Sequence, residues 1–388
     1  MAHAVAPDTG APRAFRFDRM EWAGAFGDLG TLVPFVAAYV ALAGVGPFGL
    51  LLAFGLAYIA TGLVYRAPVP VQPMKAAAAV AATQAAAGVA ITPEAVCAAT
   101  LATGVFWLLM GLTGAARRVG EWIGRPVVVG LVLGLGLAFM LEGVRMIAAA
   151  WWIGVPALAI ALLLLESRTL PAMFFLIAFA AAVALVQQPD LVPTLAQVRP
   201  ALDPGPWLPA RLTLNALVVG VLFVALPQVP LTLGNAIVGV TEAHNRLFPH
   251  RPQTESRFAV STGLINLCGG LLGGVPMCHG AGGLAAHYRF GARSGTAPIA
   301  IGVLLVIAAL FFSGSFRTLV ELFPASVLGV MLFLSGLQLA LGSCDFSRDK
   351  SERFVALGTA AVAIFHVGAA FAFGVAALAA ARRGWVKP

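Results

Sequence analysis

Apolar runs of roughly 20 residues, the length a helix needs to cross a bilayer, recur along almost the whole chain, separated by short polar or glycine- and proline-rich breaks. Their spacing predicts elements near 24–45, 47–65, 73–89, 94–115, 126–143, 146–165, 170–187, 212–240, 257–272, 278–290, 296–314, 321–341, 353–365 and 367–381. The third and tenth are too short to span alone, and the last two fit a half-depth hairpin. Fourteen elements divided at the polar link 187–211 make two halves of seven. An odd number per half turns the second half upside down relative to the first, as inverted-topology transporters require. The expected fold class is an all-α polytopic membrane protein of about 14 transmembrane elements, a 7+7 inverted repeat whose two half-helices meet near the midplane. Its expected parts are a cytoplasmic N-terminal segment 1–21, a first repeat 22–188, an external linker 189–211 and a second repeat 212–388, with no soluble regulatory domain.

The two short elements begin at breaks. In Val69-Pro70-Val71-Gln72-Pro73-Met74-Lys75, preceded by Pro68, each proline removes a backbone donor and biases its predecessor toward extended chain. The alanines that follow favour helix, with Pro73 in the first turn. The second break is Gly273-Gly274-Val275-Pro276-Met277-Cys278-His279-Gly280-Ala281-Gly282-Gly283. Each break falls at the third element of its half, the sequence pointer to a transporter's binding site.

Composition agrees with the pattern and changes little: 60% of the 388 residues are hydrophobic and 10% charged, with mean hydropathy +0.93. The net charge of +8 raises the question of nucleic acid. Its distribution answers it. All of the 24 Lys and Arg except Arg145, Arg199, Arg211, Arg317 and Lys75 fall in alternate links, the positive-inside pattern rather than a basic face. Both termini are therefore expected in the cytoplasm of a multi-pass cell-membrane protein, with a bacterial inner membrane the expected location. Residues 1–19 lack an apolar core and cleavage pattern, so no signal peptide is expected. Cys97, Cys268, Cys278 and Cys344 have no metal-ligand spacing and read as small buried hydrophobes.

Ionisable groups at membrane depth are functional candidates. Asp28, in Gly27-Asp28-Leu29-Gly30-Thr31, and Lys75 meet that test. Asp28 has three readings: cap of an unwound helix, partner of Lys75, or carrier of a coupling proton. In the eighth element Gln228, Thr232 and Asn235 stand at i, i+4 and i+7, on one face of an α-helix; they suit an uncharged ligand or polyatomic anion, or else interhelical hydrogen bonds. His279 stands beside a helix start where Gly280, Gly282 and Gly283 let backbone approach a ligand. Two opposed half-helix N-termini, each carrying about half a positive charge, together with Lys75 make a site for an anion.

Four stretches also resemble motifs of the molybdate transporter family related to the sulfate permeases: Gly27 to Thr31, Pro70 to Lys75, Gly234 to Gly239 and Val275 to Gly283. The resemblance runs from about residue 20 to 345. It implies a fourteen-helix core-and-gate fold shared with sulfate and nucleobase permeases, the substrate lying between the third and tenth helices against the first and eighth. Carried over by position, Gln72 and Lys75 lie at the third helix and Cys278, His279, Gly280, Ala281 and Gly282 at the tenth. With Thr31, Met74, Gln228, Thr232 and Asn235 these are the expected substrate-binding residues, and Asp28 is the candidate ion-coupling residue. The chain departs from typical sulfate permeases in lacking a sequence for their cytoplasmic regulatory domain.

The expected function is secondary active import of a tetrahedral dianion, molybdate ahead of sulfate or tungstate, by alternating access with proton coupling as the candidate drive. No cofactor, resident metal or catalytic residue is expected, and the partners are the oxyanion and the lipid bilayer, with homodimerisation through the membrane part left open. The alternatives are an inorganic anion permease, a nucleobase permease, an anion channel, and a membrane-embedded enzyme or scaffold. A nucleobase permease calls for an acidic residue in the eighth element, where Gln228 and Asn235 stand. An enzyme calls for a nucleophile or metal cluster that the sequence does not offer.

Overall fold

A computed structural model of the chain describes residues 14–26, 29–41, 43–75, 77, 91–116, 118, 124–164, 172–196, 199–316, 318, 322–341, 343, 347 and 349–385. In chain order its elements are α1 (Arg19–Ala25), α2 (Leu29–Ala41), α3 (Pro47–Tyr65), β1 (Gln72–Pro73), α4 (Pro93–Leu112), α5 (Arg125–Ala149), α6 (Trp151–Leu164) and α7 (Ala172–Gln187). Then follow α8 (Leu214–Leu247), α9 (Glu255–Leu271), β2 (Met277–Cys278), α10 (Ala281–Arg289), α11 (Thr296–Phe312), α12 (Ala325–Leu341), α13 (Lys350–Ala363) and α14 (Val367–Arg382). The fold is mostly helical. Asp28, and most of the predicted third element, 78–90, lie outside the described residues.

Local chemistry sets the ends. Pro47 and Pro93 occupy first turns, where a missing N–H is harmless. Thr92 and Thr254 cap α4 and α9 through their hydroxyls. Arg66, at φ 51°, ends α3 in the left-handed region and turns the chain into the proline run. α8 is one helix of 34 residues, about 51 Å at 1.5 Å per residue and so longer than the bilayer core. It carries two π-helical stretches, Gly220–Ala225 and Thr232–Gly239, on either side of the turn that holds Pro227 and Pro230. Those prolines donate no backbone hydrogen bond, which leaves the ladder free to widen.

The helices form two bodies. α1–α4 pack with α8–α11, and α5–α7 with α12–α14; α2 touches α12 across the divide, and α8 touches α5 and α14. The pairings are reciprocal: α3 lies on α11 while α4 lies on α9, and α6 lies on α12 while α5 lies on α13. Exchanging the halves maps each of these pairs onto the other. Glycines make the closest crossings. A Cβ added at Gly55 or Gly302 would meet the other's carbonyl, as would one at Gly143 or Gly329; small residues let membrane helices approach backbone to backbone.

Large apolar side chains cover the outer faces. Leu63, Leu109, Leu112, Leu163, Leu214 and Leu222 are all exposed. Among the described residues five helices, including α3, α4, α5 and α8, are long and apolar enough to cross a membrane. With satisfied helical backbone and an apolar surface, this is a multi-pass membrane protein.

Segment 14–25 folds back onto the link between α10 and α11. Arg16 N donates to Ser294 Oγ and Thr296 Oγ1, both at 3.1 Å. Arg293 N donates to Glu21 Oε1 at 2.9 Å, and Gly24 has no room for a Cβ beside Ala292. The link 187–211 also docks: Trp207 donates to Leu271 O at 2.8 Å and Asp203 N to Ser313 Oγ at 2.9 Å.

Candidate substrate site

The two proline and glycine breaks meet. β1 and β2 form an antiparallel pair with Gln72 opposite Cys278 and Pro73 opposite Met277, extended by Met74 N donating to Pro276 O at 2.8 Å. Proline keeps each segment out of helix, and glycine lets the chain turn into α10. A helix therefore starts on each side of the pair: at Lys75 in the first half, and at Ala281 in the second. Their leading N–H groups lack intrahelical acceptors and bring partial positive charge to one place.

The neighbouring helices hold the pair rigidly. Asn266 of α9 closes on Met277 twice, Nδ2 donating to Met277 O at 2.6 Å and Oδ1 accepting from Met277 N at 2.8 Å. From α4, Thr100 Oγ1 donates to Gly274 O at 3.3 Å and Cys97 Sγ to Gly270 O at 3.4 Å. His279 Nδ1 lies 2.9 Å from Pro70 O and its Nε2 2.8 Å from Ser261 Oγ. His287 Nδ1 lies 2.9 Å from Pro68 O.

The polar groups at the pair are withdrawn from bulk solvent. Gln72 is 1% exposed and Lys75 8%. An ammonium so enclosed requires anionic or carbonyl company. Met74 is fully buried. Gly280 lies against Gln72: a Cβ there would fall on the Gln72 carboxamide oxygen. Ala281 is half-buried and Gly282 exposed, so the α10 start runs from the buried pair toward an open face.

From α8, Gln228 and Thr232 enter the same cluster. Ala77 N donates to Gln228 Oε1 at 3.3 Å, Gln228 Nε2 donates to Thr232 Oγ1 at 3.0 Å, and Thr232 Oγ1 reaches Met74 Sδ at 3.9 Å. Asn235 is half-buried and shares no hydrogen bond with them among the described residues. The spacing i, i+4, i+7 assumed α-helical pitch; the π-helical turns from Thr232 to Gly239 carry Asn235 off that face. Thr31 lies in α2, and Asp28 falls outside the described residues.

Three contributors escaped the sequence reading. Asn266 and Ser261, both of α9, and Tyr39 of α2 are polar residues scattered among apolar ones, a signal present but weak. Tyr39 of α2 is 1% exposed, and its hydroxyl has no hydrogen-bond partner among the described residues. α2 packs on β1. Among the described residues no group of His, Cys, Asp and Glu is arranged to hold a metal ion.

Comparison with known proteins decides the family. The family described as "Molybdate transporter of MFS superfamily" matches residues 20–139 and 220–339, one stretch in each half, and each contains one strand of the pair. The chain belongs to the molybdate transporter family. Within the family it is 31% identical to Molybdate transporter 2 of Arabidopsis thaliana over 403 residues, 91% of this chain and 85% of that protein. It is also 31% identical to Molybdate transporter 1 of the same plant, over 90% of this chain and 85% of that one. These relatives are transporters, not enzymes.

Solved structures show the fold this member of the molybdate transporter family adopts. Murine Slc26a9, described as an anion transporter in the inward-facing state, matches with TM-score 0.68 at 12% identity, over 96% of this chain and 70% of that one. The transmembrane domain of the cyanobacterial bicarbonate transporter BicA matches with TM-score 0.55 at 16% identity, over 92% of this chain and 96% of that one. The family's description names the MFS superfamily, whereas the fold is that of the SLC26 structures.

Proposed function

We propose that this protein is a secondary transporter that imports a tetrahedral oxyanion, molybdate ahead of sulfate, by alternating access between its two helical bodies. One observation carries the reading: the Gln72–Cys278 pairing brings two half-helix starts together around the buried Lys75. Convergent N–H groups and an ammonium favour negative charge, and the neutral amides of Gln72 and Gln228 add hydrogen bonds without adding repulsion. The family match supports molybdate among oxyanions. Seven elements per half, a rigid body holding β1 and β2, and a second body moving against it complete the proposal, which the reciprocal packing supports.

The remaining parts rest on the sequence. Both termini face the cytoplasm, so Gln188, exposed at the end of α7, faces outward. Asp28 carries the coupling proton; Asp28→Asn then abolishes accumulation against a gradient and retains exchange. Uptake of labelled molybdate into proteoliposomes, with sulfate, tungstate and uracil as competitors, tests the whole. Competition by tungstate and sulfate but not uracil is expected. Displacement by uracil overturns the oxyanion reading in favour of a nucleobase, and currents beyond carrier turnover overturn alternating access.

A further inference from the structure

The prolines that break the third element leave a debt of their own. Pro68 and Pro70 lie buried in non-helical chain, so their carbonyls lack the N–H that a helix supplies four residues on, and buried carbonyls require donors. Each is met by an imidazole from the other half: His287 Nδ1 at 2.9 Å from Pro68 O and His279 Nδ1 at 2.9 Å from Pro70 O. A carbonyl only accepts, so both Nδ1 atoms carry the proton. In neutral His279 the bare Nε2 then accepts from the Ser261 hydroxyl at 2.8 Å. Both rings are fully buried, and that of His279 packs edge-on beside the stacked Tyr65 and Phe258 rings, with ring centroids 5.8 and 5.6 Å away.

These bonds lie beside the strand pair. Pro70 precedes Gln72 by two residues and His279 follows Cys278, so the His279–Pro70 bond continues the cross-link that the Gln72–Cys278 register begins. The second bond ties α10 further along to the same arm. Together they brace the segment that carries Gln72 and Lys75 against the segment that carries the α10 start.

We propose that His279 and His287 are positioning residues for transport: their Nδ1–H bonds to Pro70 and Pro68 fix the separation of the two half-helix starts, and so the size of oxyanion the site accepts. The inference rests on the oxyanion reading above. A role in packing alone needs the ring's shape; the brace needs a donor at the Nδ1 position. Asparagine places its amide nitrogen near Nδ1, whereas glutamine places it near Nε2, where it reaches Ser261 and not Pro70.

The test uses purified full-length protein and measures binding of molybdate and of sulfate, with melting temperature alongside. His279→Gln is expected to lose about tenfold in molybdate affinity beyond His279→Asn, which keeps the donor, a difference of roughly one hydrogen bond. The molybdate-to-sulfate preference narrows in His279→Gln and not in His279→Asn, and His287→Asn and His287→Gln repeat the contrast. Nitrogen-15 NMR of histidine-labelled wild type is expected to show both histidines protonated at Nδ1. Equal behaviour of the Asn and Gln variants, affinity losses that merely follow melting temperature, or an Nε2–H tautomer at His279 each overturn the brace. A wild-type protein that binds neither oxyanion refutes the transport reading instead, and the tautomer measurement then judges the brace by itself.

Discussion

The carboxamide oxygen of Gln228 accepts a hydrogen bond at 3.3 Å from the backbone N–H of Ala77, in the first turn of the third element. An acceptor at a half-helix start stands where the helix field favours negative charge. In Gln228 that acceptor is neutral, and its Nε2 donates one hydrogen to Thr232. Gln228→Glu puts a full negative charge at this point, which satisfies the N–H and repels a dianion. Molybdate affinity is expected to fall by more than about tenfold with melting temperature unchanged, since a like charge a few ångströms away opposes binding by more than about 1.4 kcal/mol. Binding titrations at two salt concentrations check it. Undiminished affinity removes Gln228 from the anion's field.

The charge on Lys75 is the second test. At 8% exposure its ammonium is costly to enclose without compensation. A charge-assisted contact contributes on the order of 1.5–3 kcal/mol, so Lys75→Gln is expected to weaken molybdate binding roughly 10- to 150-fold. Lys75→Arg is expected to recover part of it, because a planar fork fills the space differently. If Lys75→Gln instead destabilises the protein and a second change, Asp28→Asn, restores it, the lysine serves a structural pair.

Much of this architecture is legible in sequence because the membrane makes the code simple. Apolar length marks the spans, and proline and glycine mark Gln72 and Cys278 as the ends of interrupted elements. Pairing partners are not legible in that way. Gln72 meets Cys278, Gln228 meets Ala77 and His287 meets Pro68 across more than 150 positions, and no local period encodes such distances. Asn235 shows the limit within one helix: its spacing fits an α-helical face, and the π-helical turn moves it away. Nor does the polarity of residues 14–25 announce that they fold back onto 291–296, a contact made largely by backbone and small residues.

Gly280 offers a test that separates site from scaffold. Adding a methyl group there drives into the Gln72 carboxamide, the far end of a side chain with several rotatable bonds, whereas adding one at Gly220 drives into the backbone carbonyl of Ala95. Gly280→Ala is therefore expected to weaken molybdate binding about tenfold, roughly one good hydrogen bond, with little change in melting temperature. Gly220→Ala is expected to destabilise by about 1–3 kcal/mol through overpacking. Thermal melts and binding measured on the same two preparations decide. A reversed pattern, with Gly280→Ala unstable and Gly220→Ala deficient in binding, contradicts the assignment of Gln72 to the site.

Glu21 gives a pH dependence whose sign follows from its surroundings. It is 1% exposed at the inner end of the chain's docking segment. Burial raises its carboxyl above the ordinary value, more than the hydrogen bonds from Arg293 N and Ser294 lower it, and the nearby Asp18 pushes the same way. Asp18 itself is engaged by Arg16 at 2.9 Å, and the Arg293 guanidinium is turned onto the Tyr288 ring. A raised acid holds its proton longer folded than unfolded, so its penalty is absent below the unfolded value and grows as pH rises toward the folded one. The docking of residues 14–25 on the α10–α11 link is thus expected to weaken as pH rises through that window. Glu21→Gln keeps an acceptor for Arg293 N and carries no charge. It is expected to melt higher than wild type at pH 7 and to match it at a pH below the ordinary carboxyl range, the difference between the two curves isolating this one group. Parallel curves for the two proteins over the whole range would show that Glu21 is not ionising against its burial.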